Sequence, residues 1–149
     1  VLFRSFILSK DAPETFNPIM TKAKYGHLGA NMKHRGRDGE MNYVKTKRNE
    51  YTKVRNIFEY SVGGGHSTKD KIAFQHPAIM PEQLARDMIS TWTNLGDTVF
   101  DPFTGSGTTA KMSLLLNRKF HGTELSCEYC EITKLRLEQA PTALFYESN

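Results

Sequence analysis

In the second part of the chain, Leu84, Ala85, Met88, Ile89 and Trp92 fall at helical spacing, which predicts an amphipathic helix from Pro81 to near Asn94-Leu95-Gly96. Pro81 suits a first helical position, and Glu82 in the first turn suits the positive end of the helix dipole. The Gly96-Asp97 turn then launches a short apolar run, Thr98 to Asp101, read as a strand. A glycine turn follows, and from Thr108 onward Thr109, Met112, Leu115 and Leu116 mark the apolar face of a second helix, with Arg118-Lys119 near its negative end. Phe120 to Leu125 reads as a second strand, His121 to one side and Glu124 at its tip, and Tyr129, Ile132 and Leu135 stripe a third helix. A strand–helix–strand unit of this size is a right-handed crossover, so its strands are expected to be parallel and adjacent. The fold class is α/β.

The first part is patterned differently. Phe6-Ile7-Leu8-Ser9-Lys10 has the apolar run of an interior strand in a parallel sheet, and Asp11 to Pro18 is a proline-containing loop. From Thr21 to Tyr60 periodicity is weak. Ser61 to Asp70 is glycine-rich and polar, the pattern of a mobile connection, with His66 as a loop residue. The expected organisation is therefore a strand and loop over 6–20, a loop-rich basic insertion over 21–60, a flexible connection over 61–75, a ligand-binding part over 76–140, and a tail over 141–149 with a weak apolar patch at Ala143 to Tyr146. Val1 to Ser5 resembles the translation of a sequencing-adaptor tail and is set aside as a non-native leader. The chain of 149 residues starts at Val1 and is expected to be a piece of something larger.

Charge sharpens the division. Residues 1–75 hold fourteen Lys+Arg against seven Asp+Glu, net +7, and residues 76–149 hold six against nine, net −3. A basic excess confined to one part suits a nucleic-acid footprint, although a charge run more often is a solvated surface. Lys22, Lys24, Lys33, Arg35, Arg37, Lys45, Lys47 and Arg48 are interleaved with Tyr25, Tyr43, Tyr51, Phe58 and Tyr60, so this segment is the candidate for phosphate contact and base recognition in double-stranded DNA. No apolar run approaches the ~20 residues of a membrane helix, and no signal peptide is evident, so a cytoplasmic protein without a membrane partner is expected. Cys127 and Cys130 form one C-x-x-C without the second pair a structural zinc site wants, and no metal is expected.

Candidate chemistry converges on Asp101-Pro102-Phe103-Thr104-Gly105-Ser106-Gly107-Thr108-Thr109. Glycines between a strand and a helix let backbone approach a nucleotide-type ligand, and the helix start offers free N–H groups. The third glycine of a dinucleotide fingerprint and the Gly-Lys-Ser/Thr of a phosphate loop are both absent. An acid at the end of the strand would repel pyrophosphate but suit a ligand with an ammonium group, such as S-adenosylmethionine. An acid about twenty residues past the glycines, here Glu124, would hold ribose hydroxyls.

These residues, with His76-Pro77-Ala78-Ile79-Met80-Pro81-Glu82, Gly96-Asp97-Thr98-Val99, Arg118, Gly122-Thr123-Glu124 and Tyr129, resemble the C-terminal part of a DNA amino-methyltransferase of the permuted adenine-N6 or cytosine-N4 type. The resemblance covers about the last half of the chain and implies a Rossmann-like S-adenosylmethionine-dependent methyltransferase fold, here incomplete. It also implies that His76, Pro77 and Ala78 pack over the cofactor's methionine end. Asp101 would accept from its ammonium, Phe103 would shape the wall beside Pro102, Gly105 and Gly107 would allow close approach alongside Ser106 and Thr108, and Glu124 would hold the ribose. The implied reaction moves a methyl group to the exocyclic amine of a flipped base, adenine favoured over cytosine. The family's catalytic Asp/Ser-Pro-Pro-aromatic motif does not occur in this chain, and the resemblance places it upstream. A methyltransferase of another substrate and a non-enzymatic DNA-binding module are the alternatives: the first would need no basic region, the second no cofactor.

Overall fold

The computed structural model describes residues 8–23, 31–45, 50–54, 58–63 and 65–140. They belong to two compact units, Pro18–Phe58 and the combination of Val1–Asn17 with Glu59–Asn149. The leader over 1–5, Phe6 and Ile7, Lys24, Lys47, Arg48 and the tail over 141–149 lie outside the described residues.

The Pro18–Phe58 unit is built from two antiparallel ladders. Strand β1 (Met20–Lys22) pairs with β4 (Tyr51–Lys53), Met20 opposite Lys53, and β2 (Asn31–Arg35) pairs with β3 (Met41–Lys45), Arg35 opposite Met41. The β2–β3 turn is closed by the Gly36 N–H donating to the Glu40 carbonyl at 2.9 Å and by Asp38 Oδ1 accepting from the Glu40 N–H at 3.1 Å. Gly39 there has φ +86°, a left-handed conformation that favours glycine. The sequence pattern predicts a loop scaffold here, and the ladders correct it. Met20, Thr21 and Lys22 are all exposed, as are Tyr51, Thr52 and Lys53, so neither face of that ladder imposes an apolar–polar alternation by which the strands could be recognised.

In the other unit, the chain from Lys71 to Gln75 makes a turn of 3-10 helix and then enters α1 (Glu82–Trp92), β5 (Thr98–Asp101), α2 (Thr108–Leu115), β6 (Lys119–Gly122) and α3 (Cys127–Gln139). β5 and β6 pair in parallel, Thr98 opposite Lys119 and Asp101 opposite Gly122, with α2 as the crossover. Ala85 and Ile89 of α1 and Met112 of α2 form the buried apolar core, packed by Met80, Val99, Leu115 and Leu116. Burying a side chain such as Ile89 or Met112 contributes about 1.5–3 kcal/mol. Arg118 fixes the far end of both helices, its Nε and Nη2 donating to Thr93 Oγ1 and the Thr93 carbonyl at 2.9 and 2.8 Å and its Nη1 to the Leu116 carbonyl at 2.5 Å. Asn17 Nδ2 supplies further donors to the end of α1, at Ser90 O and Thr93 O.

Several expectations shift. Leu8 to Lys10 carry no strand. The strand expected to run from Phe120 to Leu125 ends at Gly122: the Thr123 N–H makes the last ladder bond, to the Asp101 carbonyl, and the Thr123 carbonyl is then taken by the Thr104 N–H of the turn. Leu135 is 40 % exposed, whereas Ile132 and Arg136 form the buried stripe of α3. The connection expected to be mobile packs tightly over its second half, where Ser67, Thr68 and Ala73 are buried. Tyr60, read with the basic segment, donates to Asp87 Oδ2 on α1 at 2.8 Å, and burial followed by this acceptor pushes its hydroxyl pKa up.

Candidate functional site

The turn between β5 and α2 closes on itself before it offers anything to a ligand. Asp101 Oδ1 accepts from the Phe103 N–H at 3.0 Å, and Thr104 Oγ1 donates to the Asp101 carbonyl at 3.3 Å. The described residues give the other Asp101 carboxylate oxygen no hydrogen-bond partner. Beyond β6, Glu124 bends back to the same turn, Oε2 accepting from the Gly105 N–H at 2.7 Å and Oε1 from the Ser126 N–H at 3.0 Å. Hydrogen bonds from the Ser126 and Gly105 backbone hold the Glu124 carboxyl below the usual carboxylate range. Both acids are therefore placed by the crossover: one ends β5, the other follows β6, and the parallel pairing sets them side by side at the carboxyl ends of the strands, where open α/β sheets bind ligands.

They face a cavity of about 430 Å³, within the ~300–1,000 Å³ of small-molecule sites. His76, Ala78, Asp101, Phe103, Gly105, Ser106, Thr108 and Glu124, all named from the sequence, line it together. Pro77, Pro102 and Gly107 do not. Gly105, at φ +55°, packs close against His76, whose Nε2 lies 3.2 Å from where a Cβ would stand, tighter than an ordinary contact. Gly107 serves a different need from close approach to a ligand: it has φ +78°, and a Cβ would stand 2.6 Å from Thr133 Oγ1 on α3. Phe103 is 86 % exposed, at the rim. A larger cavity of about 580 Å³ lies between α1 and the chain around Leu8 and Pro13, but it holds neither Asp101 nor Glu124 and its lining is mainly apolar.

Met80, Thr104, Thr109 and Tyr129 also line the cleft. None stands out by charge; Tyr129 packs edge-on against His76 with ring centroids 4.3 Å apart. The larger omission is a group of four charged side chains behind the turn. Arg136 is 1 % exposed, and its guanidinium donates to Asp70 Oδ2 at 3.0 Å and Glu82 Oε1 at 2.9 Å, while Lys111 Nζ donates to the same two oxygens at 2.7 and 2.8 Å. Burial pushes the Asp70 carboxyl up, but the hydrogen bonds and charges of Lys111 and Arg136 outweigh it and leave it below the usual range. The signal in the sequence was a cation, Arg136, one turn beyond Ile132 on the face that had to be buried.

Among the basic candidates, Lys22 on β1, Lys33 and Arg35 on β2 and Arg37 in the following turn are exposed, and Lys45 pairs with Asn31 at the end of the β2–β3 ladder. Among the described residues, no helix is long and apolar enough to cross a membrane.

A parallel strand–helix–strand crossover with one acid ending its first strand and another following its second, both facing one cleft, defines a Rossmann-like methyltransferase fold. The N6/N4 methyltransferase family model, described as DNA methylase, matches residues 6–135, and the chain belongs to that family. It is 47 % identical over 140 residues to the orphan methyltransferase M.BamHII of Bacillus amyloliquefaciens, covering 89 % of this chain and 52 % of that protein. It is 42 % identical over 65 residues to the DNA adenine methyltransferase YhdJ of Escherichia coli (strain K12), covering 44 % of this chain and 22 % of that protein. A crystal structure of an M1.HpyAVI–SAM complex is 43 % identical over 41 % of this chain and 32 % of that one, with a TM-score of 0.40. The chain spans about half the length of M.BamHII and less of the other relatives.

Proposed function

We propose that this chain is the cofactor-binding and target-reading part of a DNA amino-methyltransferase that takes its methyl group from S-adenosylmethionine. The observation that carries this reading is the convergence of Asp101 and Glu124 on one cleft from the two ends of a parallel crossover, with a glycine turn between them. The residues suit that group. Asp101 keeps a carboxylate oxygen for the ammonium, Gly105 lets the turn pass close to His76, and Glu124, favoured as the carboxylate by its backbone donors, has lone pairs left for ribose hydroxyls. When bound there, S-adenosylmethionine supplies an electrophilic methyl on sulfur. The chain's own contribution is to hold it: His76, Ala78 and Met80 form one wall, Phe103 to Ser106 the other, and fixed placement of reacting atoms is worth several kcal/mol of barrier.

The exposed cations of the Pro18–Phe58 unit would meet DNA phosphates in the cytoplasm, and adenine N6 is the favoured acceptor, supported by the name of the Escherichia coli relative. The residue that touches the flipped base would belong to the part of the relatives' length that this chain does not span, because no Pro-Pro pair occurs in it. Calorimetry with S-adenosylmethionine tests the reading directly. Binding that weakens on Asp101→Ala and on Glu124→Ala is the expected result, and equal affinity for both variants and the parent chain would exclude this cleft as the cofactor site.

A further inference from the structure

We propose that Arg136 is a positioning residue that sets the distance between the two walls of the cleft. The proposal goes beyond the cofactor assignment and rests on it only for the identity of the ligand.

The two walls are far apart in sequence. One is the segment containing His76, Ala78 and Met80; the other is the turn Phe103–Ser106. The first is anchored on either side, at Asp70 before it and Glu82 after it, and both anchors end on the guanidinium of Arg136. The remaining nitrogen of the same guanidinium, Nη1, donates to the Ser106 carbonyl at 2.5 Å, with Ser106 Oγ at 3.3 Å and Thr108 Oγ1 at 3.2 Å. One planar group thus grips both walls from behind, in a geometry that a rigid fork can satisfy and a single ammonium cannot. Nη2 also reaches Thr68 Oγ1 at 3.5 Å, and Thr68 in turn donates to Glu82 Oε1 at 2.6 Å.

Helix α3 carries the whole grip on one face. Tyr129 packs on His76, Thr133 Oγ1 donates to the Gly105 carbonyl at 3.1 Å, and Arg136 holds the Ser106 carbonyl, so successive turns of one helix meet the first wall, the glycine turn, and then both. Lys111 separates stability from positioning. Its ammonium donates to the same Asp70 and Glu82 oxygens, and only its backbone N–H, as part of α2, reaches the glycine turn, at the Gly107 carbonyl. It neutralises the anchors; Arg136 connects them to the other wall.

The test compares Arg136→Lys with Lys111→Gln in the full chain, using S-adenosylmethionine as the probe. Arg136→Lys keeps a positive charge beside the carboxylates but loses the fork, and is expected to raise the S-adenosylmethionine Kd at least tenfold and to speed amide exchange at Gly105 and Gly107. Lys111→Gln is expected to lower the unfolding midpoint while leaving Kd and those two exchange rates within about twofold. Equal effects of the two variants on Kd and exchange would overturn the proposal and leave the cluster with a purely structural role. If Arg136→Lys does not fold, Thr108→Val removes one acceptor of Nη1 outside the ion pairs, and unchanged exchange at the turn in that variant would overturn it as well. Absence of binding by the parent chain would sink the cofactor assignment alone, because the exchange rates report the wall geometry without ligand.

Discussion

Glu124 Oε2 accepts a hydrogen bond from the Gly105 N–H at 2.7 Å, across nineteen residues of chain. The acid after β6 therefore braces the turn after β5, and the ionised form is the one that does so. With burial outweighed by Lys111 and Arg136, Asp70 is likewise favoured as the carboxylate. A folded pKa below the unfolded one stabilises fully above the ordinary carboxylate values of about 4, and that contribution is lost as pH falls through the depressed folded values. The unfolding midpoint is expected to drop as pH falls below about 4, and Glu124→Gln to lose midpoint at pH 7 but little relative to the parent at the lowest pH at which both still fold. Thermal unfolding followed across that range checks it; a constant gap between the two proteins would contradict the brace.

Gly107 is held at φ +78° with Thr133 in the space of a Cβ. Gly107→Ala is expected to cost about 3 kcal/mol, combining left-handed strain with overpacking. Gly96 has φ +83° with nothing within 4 Å of a Cβ, so Gly96→Ala carries the strain alone, about 1 kcal/mol. Adding Thr133→Ala to Gly107→Ala should recover the steric part only. Urea denaturation of the four proteins separates the two contributions, and equal costs for the two glycines would show that α3 does not press on the turn.

Within the segments named from the sequence, Asp101 faces the cleft and Pro77 does not. Asp101→Asn removes a charge from the expected ammonium contact and should weaken S-adenosylmethionine roughly 10- to 100-fold. Pro77→Ala should change the Kd by about twofold or less, because its exposed side chain does not line the cleft although both neighbours do. Calorimetry under one buffer decides it, and the reverse ranking would move the ligand out of this cleft.

For the basic unit, DNA affinity of the chain should fall linearly on a log–log plot against salt. Lys22→Gln, Lys33→Gln and Arg35→Gln should each lower that slope by about one if the side chain meets a phosphate. A slope untouched by all three substitutions would assign these exposed cations to solvation.

Incubated alone with labelled S-adenosylmethionine and DNA, the chain is expected to transfer no label above a heat-killed control. It holds a cleft and cations but no Pro-Pro-aromatic motif, and placing one reactant without the other forfeits most of the acceleration. Transfer well above that control would place the base-contacting group within these 149 residues.

Local patterns alone determined the crossover. Thr98–Asp101 is a strand and Thr108–Leu115 a helix because apolar spacing and a glycine turn act over a few residues, and handedness then forces β5 and β6 parallel. Asp101 was legible for the same reason, since the end of β5 is a local feature, and Glu124 by its spacing of about twenty residues past the glycines. Where β6 stops, what covers the first wall and which residues of α3 are buried were decided by tertiary structure. Leu135 outranks Arg136 on any hydropathy pattern, yet Arg136 is the one inside, because Asp70 and Glu82 arrive from 66 and 54 residues away to neutralise it. In the weakly patterned basic segment, the β1–β4 ladder is specified by backbone hydrogen bonds without help from side-chain alternation. A one-dimensional period records how a residue relates to its own element, and a buried charge depends on partners the period does not contain.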